Sequence, residues 1–156
     1  MGENVQTVMT NLTSPTPMET IEDDFAMLDD WEDRYRYVIE LGRQLKPLPA
    51  SSKTDANKVR GCASQVWLIA MPEGPQRAGE TRLSFAGESD SHIVQGLIAI
   101  LLALANGRTA AELAGMDIAA RFDALGLKEH LTPQRSNGLA SMVARIKADA
   151  GSLVQG

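Results

Sequence analysis

The stretch IVQGLIAILLALA, residues 93–105, is apolar around nearly the whole circumference of a helix. Such a helix has no face to offer water, so the rest of the chain must be arranged to cover it. A bilayer is not the cover it calls for, because the run is about 13 residues long, is interrupted by Gln95 and Gly96, and a span needs about 20. Ser89 or Asp90 is expected to cap its start, and Asn106 with Gly107 to end it.

The flanking patterns supply the cover. Thr16 as cap, Pro17 at the first helical position and Glu19 as the third member of a capping box open a first helix. Its inner face is Met18, Ile21, Phe25 and Leu28. Asp30 caps a second helix, whose apolar face is Trp31, Tyr35, Val38, Ile39 and Leu45 and which stops at Pro47. KPLPASSKTDANKVRG, residues 46–61, has no sustained period and reads as an exposed loop. SQVWLIAM then reads as a strand, and ETRLSFAG alternates Thr81, Leu83 and Phe85 against Arg82 and Ser84, giving an antiparallel hairpin. After the central helix, TAAELAG and IAARFDALG are short helices, and a last helix opens at Thr132–Pro133 with Leu139, Met142, Val143 and Ile146 inward. The result is an α+β fold with a small antiparallel sheet packed against helices. Residues 1–15 are expected to be a loose polar leader and residues 16–156 the domain.

Charge narrows the partners. Fifteen basic against 20 acidic residues give a net charge of −5, which works against capture by nucleic acid or an anionic membrane. The single cysteine cannot close an internal disulfide, as expected of a reducing compartment, and the start of the chain lacks the basic and apolar regions of a secretory signal. Cytoplasm is the expected location.

That cysteine, Cys62, lies in VRGCASQVW. Gly61 removes steric cover from one side, and Lys58 and Arg60 bring positive charge that favours a thiolate. The plain alternative is a small buried hydrophobe. One thiol cannot hold an iron–sulfur cluster, which takes about four ligands; if the chain handles sulfur, it carries an atom. His92, in the first turn of the central helix, and His130, in a connector, are each either a base or a surface residue. The last helix breaks two local rules: Arg135 sets a cation at the positive helix end, and Gly138 costs about 1 kcal/mol relative to alanine. Either Arg135 reaches an anion, a partner carboxylate or the cysteine loop, or Gly138 marks close packing with Arg135 solvated.

Four blocks, WEDRYRYVIELGRQL, VRGCASQVWL, GESDSHIVQGLIAILLAL and HLTPQRSNGL, together resemble the SufE family over about residues 20–148. The resemblance implies a fold shared with IscU-like scaffold proteins. It also implies an accessory role rather than a stand-alone enzyme: Cys62 accepts persulfide sulfur from a pyridoxal-phosphate-dependent cysteine desulfurase, SufS- or CsdA-like, stimulates that enzyme and passes the sulfur to a SufB-type iron–sulfur scaffold. No cofactor is bound, only a transient Cys62 persulfide. Arg60, Gly61, Gln65, Asp90, His92 and Arg135 are the expected partner-contact residues. The chain departs from the usual pattern at Glu88 (Asp), Ala63 (often Gln) and Ser91 (often Ala), which leaves the chemistry intact and the choice between SufE-type and CsdE-type partners open. Readings from other classes are a thiol redox sensor, against which the lack of a resolving cysteine counts, and an interaction module with an inert Cys62.

Overall fold

In the computed structural model, which describes residues 16–74 and 77–155, the chain runs through α1 (Met18–Met27), α2 (Trp31–Arg43), β1 (Val66–Glu73), β2 (Arg82–Ser89), α3 (His92–Ala105), α4 (Ala110–Gly115), α5 (Ile118–Ala124) and α6 (Pro133–Gln155). The leader expected over residues 1–15 lies outside the described residues. The architecture is α+β, with one two-stranded sheet among helices.

Helix α3 is covered as its composition requires. Leu97, Ile98, Ile100, Leu101 and Leu104 are fully buried, with α2 and β2 providing most of the cover and α1 and α6 the remainder. Helices α2 and α3 approach closely because glycine stands on both sides: a β-carbon on Gly42 would lie 2.7 Å from the Gly96 nitrogen, and one on Gly96 would collide with the Val38 carbonyl oxygen.

Strands β1 and β2 pair antiparallel from Val66 opposite Ser89 to Glu73 opposite Arg82. As the alternation requires, Thr81, Leu83 and Phe85 are buried. A two-stranded sheet has two open edges, and both are met. Beside β2, Gly107 N–H donates to the Leu83 carbonyl at 2.9 Å and Leu83 N–H to the Arg108 carbonyl at 3.0 Å. Because Leu83 spends both backbone groups on that side, Pro72 opposite it has no ladder bond to lose and is tolerated in β1.

Four local expectations shift. Pro17 takes the N-cap of α1, and no side chain caps that helix; the Thr16 hydroxyl instead donates to Gln44 Oε1 at 2.7 Å, so a tertiary partner wins over the local cap. Helix α2 is capped by Asp30 as read, its carboxylate accepting from Glu32 N–H at 3.0 Å. It ends at Arg43, because the ring of Pro47 would clash with the carbonyl four residues earlier. Leu45 therefore falls outside it, and Leu41 completes its buried face. The cap of α3 is Ser91, not Ser89 or Asp90: Ser89 Oγ accepts from Ser91 N–H, and Asp90 is engaged elsewhere. On α6, Leu139, Met142 and Ile146 are buried, while Val143 is half-buried.

Candidate functional site

The segment before β1 is largely exposed and irregular, as its composition reads, but it is tied down at several points. Leu48 and Val59 are buried; Glu88 accepts from Leu48 N–H at 2.7 Å and pairs with Lys53, whose ammonium lies over the Trp67 ring. These bonds hold the Glu88 carboxyl below the usual carboxylate range, the Lys53 contact contributing most. Leu68 N–H donates to the Asn57 carbonyl at 2.9 Å and Val59 N–H to the Val66 carbonyl at 2.8 Å, so residues 57–59 lie along the free edge of β1. The chain reverses over residues 60–65. Gly61 makes the reversal at φ +90, and its missing β-carbon would stand 2.6 Å from Ser141 Oγ.

At the tip of this turn Cys62 faces α6. Its thiol donates to the Gly138 carbonyl at 3.6 Å, and a β-carbon on Gly138 would rest on Sγ at 3.5 Å. The glycine inside α6 thus marks the surface on which the cysteine sits. The Arg135 guanidinium donates to Tyr35 Oη at 2.7 Å, joining α6 to α2. Its backbone N–H donates to Thr132 Oγ1 at 3.3 Å.

Beside Cys62 lies a cavity of about 350 Å³, walled by Ala63 and Ser64 of the turn, Ser91 and Val94 at the start of α3, Thr132 just before α6, and Gln134, Arg135, Gly138, Leu139 and Met142 of α6. Two helix N-termini and a guanidinium therefore border one space, an arrangement that favours negative charge. A neighbouring cleft shares Ser91 and Arg135 with it and adds Tyr35, Asp90 and His92. Gln65 is tied to this side through its backbone: its N–H donates to Asp90 Oδ1 at 3.0 Å, and its carbonyl accepts from Asp90 N–H at 3.3 Å. Of the expected contact residues, then, Asp90, His92 and Arg135 gather in the cleft and Gln65 is joined to Asp90. Gly61 lies on Ser141, and Arg60 is exposed on the turn, lining neither space. His130 stacks on Trp31 with ring centroids 3.6 Å apart and lines neither. The sequence does not single out Tyr35 or Thr132 as neighbours of the site; the signals pointing there are the breach at Arg135 and Gly138 and the family resemblance of the GESDSH turn, residues 87–92.

The electrostatics differ from the expectation drawn from Lys58 and Arg60. Burial pushes the Cys62 thiol up from its ordinary value, and a carbonyl partner that accepts from S–H also favours the protonated form. The resting cysteine is a held thiol. Its alkylation by iodoacetamide is expected to rise with pH later than that of a peptide thiol, whose midpoint is about 8.5; a midpoint at or below the peptide value would contradict this geometry.

Among the described residues, no group of three or more His, Cys, Asp or Glu is placed to hold a metal ion, and no helix is long and apolar enough to cross a membrane. The family described as SufE, an Fe-S metabolism associated domain, matches residues 19–150. An uncharacterized SufE-like protein of Rhizobium meliloti is 54% identical over 135 residues, covering 86% of this chain and 95% of its own. The sulfur acceptor protein CsdE of Escherichia coli is 42% identical over 130 residues, covering 83% and 85%. In structure, the chain is similar to a hypothetical protein from Thermus thermophilus solved in solution, with a TM-score of 0.68, 20% identity and coverage of 89% and 96%; that likeness is one of fold.

Proposed function

Since this chain belongs to the SufE family, we propose that it is a sulfur acceptor: Cys62 takes sulfane sulfur from the persulfide of a pyridoxal-phosphate-dependent cysteine desulfurase and passes it to an iron–sulfur scaffold of the SufB type. The observation that carries the reading is the placement of the chain's one thiol at the tip of a tied turn, beside a cavity with room for an added atom.

The transfer balances without an outside oxidant. Cys62, deprotonated, attacks the terminal sulfur of the donor persulfide; a new S–S bond forms on Cys62, the donor's S–S bond breaks, and its electron pair leaves on the donor cysteine as a thiolate that takes up a proton. At rest, the Gly138 contact and burial keep Cys62 protonated, so exchange waits until docking draws the turn away and a base of the complex removes the proton. Once formed, the persulfide extends by one sulfur, and the cavity at Cys62 offers the anion two helix N-termini and Arg135. Arg60, Gly61, Gln65, Asp90, His92 and Arg135 form the surface that meets the desulfurase. The donor is SufS-like or CsdA-like, and the 42% identity to CsdE supports the second. The setting is the reducing cytoplasm, where a lone thiol stays free.

The test is an intact mass after incubation with a desulfurase of each type and free cysteine. A gain of one sulfur, about 32 Da, reversed by dithiothreitol and blocked by prior alkylation of Cys62, is expected with one of them. No gain with either sinks the reading. Sulfenic acid forming under mild peroxide, with no sulfur uptake, establishes the redox-sensor reading in its place.

A further inference from the structure

Three residues of α6, Gly138, Ser141 and Arg145, are spaced by three and four and so share one face of the helix. Each meets the cysteine-bearing segment, in reverse chain order. Gly138 lies under Cys62 and Ser141 under Gly61, and Arg145 reaches the base of the turn. There its guanidinium donates through Nη2 to the Ala56 carbonyl at 2.8 Å and through Nη1 to the Lys58 carbonyl at 3.4 Å. Nε faces Asp149 at 3.5 Å, both side chains being largely covered.

The Asn57 carbonyl and the Val59 N–H are spent on β1, so by strand alternation the Lys58 carbonyl between them points the other way, where β1 cannot reach it; the Ala56 carbonyl belongs to the turn that leads in. Arg145 satisfies both with charge-assisted bonds, which are stronger than neutral ones, whereas the thiol contact at the tip is long and weak. We propose that Arg145 is a positioning residue: it clamps the base of the turn so that opening is confined to about residues 60–64, and Cys62 leaves Gly138 without unzipping residues 57–59 from β1. Asp149 holds the guanidinium in that orientation. The proposal gains its use from the sulfur-acceptor reading, but its test reads motion and is independent of sulfur.

The experiment pairs the rate of Cys62 alkylation with hydrogen exchange at the Val59 and Leu68 amides, the two that bond across to the opposite strand. In the wild type, Cys62 reacts while both amides stay protected. Arg145→Ala is expected to speed alkylation about tenfold and to raise exchange at Val59 and Leu68 by a similar factor, with the amides of α3 unchanged. Arg145→Lys keeps the charge but not the planar fork, so an increase of about threefold is expected. Rates within twofold of wild type for both variants overturn the proposal. So does exchange that rises equally in α3, since that reports a general loss of stability. Should Arg145→Ala fail to fold, the lysine variant alone decides by the same criteria.

Discussion

Cys62→Ser is expected to take up no sulfur from either class of desulfurase while melting within about 4 °C of the wild type. The two outcomes have separate causes. Uptake needs a nucleophile on the terminal sulfur of a persulfide, and a serine hydroxyl keeps its proton at neutral pH and is a poor sulfur nucleophile. Stability asks little of this side chain, which is only half-buried and makes one long bond to the Gly138 carbonyl. A serine hydroxyl can donate to that same oxygen, so the change stays below about 1 kcal/mol, or about 2–4 °C at this chain length. The variant retains the Asp90, His92 and Arg135 surface and is expected to compete with wild-type protein for the desulfurase. Intact mass and a thermal melt check both halves. Any reducible gain of one sulfur on the serine variant would remove Cys62 from the centre of the chemistry.

The second large effect is on the fold. Gly96→Ala places a methyl group against backbone, 2.6 Å from Val38 Cγ1 and 2.7 Å from the Val38 carbonyl carbon, besides colliding with the carbonyl oxygen. A side chain could rotate away, but a main chain cannot. Helices α2 and α3 must part, and α3 is buried along most of its length, so the gap opens inside the core. Alanine gains about 1 kcal/mol of helix propensity over glycine, yet overpacking of this kind costs up to about 3 kcal/mol and occasionally more. A net fall of about 2 kcal/mol or more is expected, lowering the melting temperature by at least about 4–8 °C. Since Ser91 and Val94 at the start of α3 wall the cavity beside Cys62, the displacement carries into the site. An alanine variant as stable as wild type would show that α2 and α3 are not packed this tightly.

Much of the architecture was legible because it rests on near neighbours in the chain. The apolar circumference of residues 93–105, the Asp30 cap, the alternation of Thr81, Leu83 and Phe85 and the inward stripe of α6 are local patterns, and local sterics realise them. Where the reading slipped, a remote partner intervened. Thr16 was drawn to Gln44, 28 residues on, and Asp90 to Gln65, leaving Ser91 to cap α3. The Pro-, Ser- and Asp-containing run before Cys62 has a loop's composition, but its carbonyls at 56 and 58 are met by Arg145, 89 and 87 residues away.

The site divides in the same way. Amino-acid order alone determined that there is one thiol, that a glycine beside it removes steric cover, and that the last helix carries an anomaly at Arg135 and Gly138. It also placed Lys58 and Arg60 near the cysteine, which argues for a thiolate. Only the packing of α6 against that turn, across 76 residues, decided that the thiol is half-buried and held as a hydrogen-bond donor at rest. The reason is physical: turns, caps and helix faces arise from residues adjacent in the chain, whereas desolvation and hydrogen-bond partners depend on which distant segments close around a group.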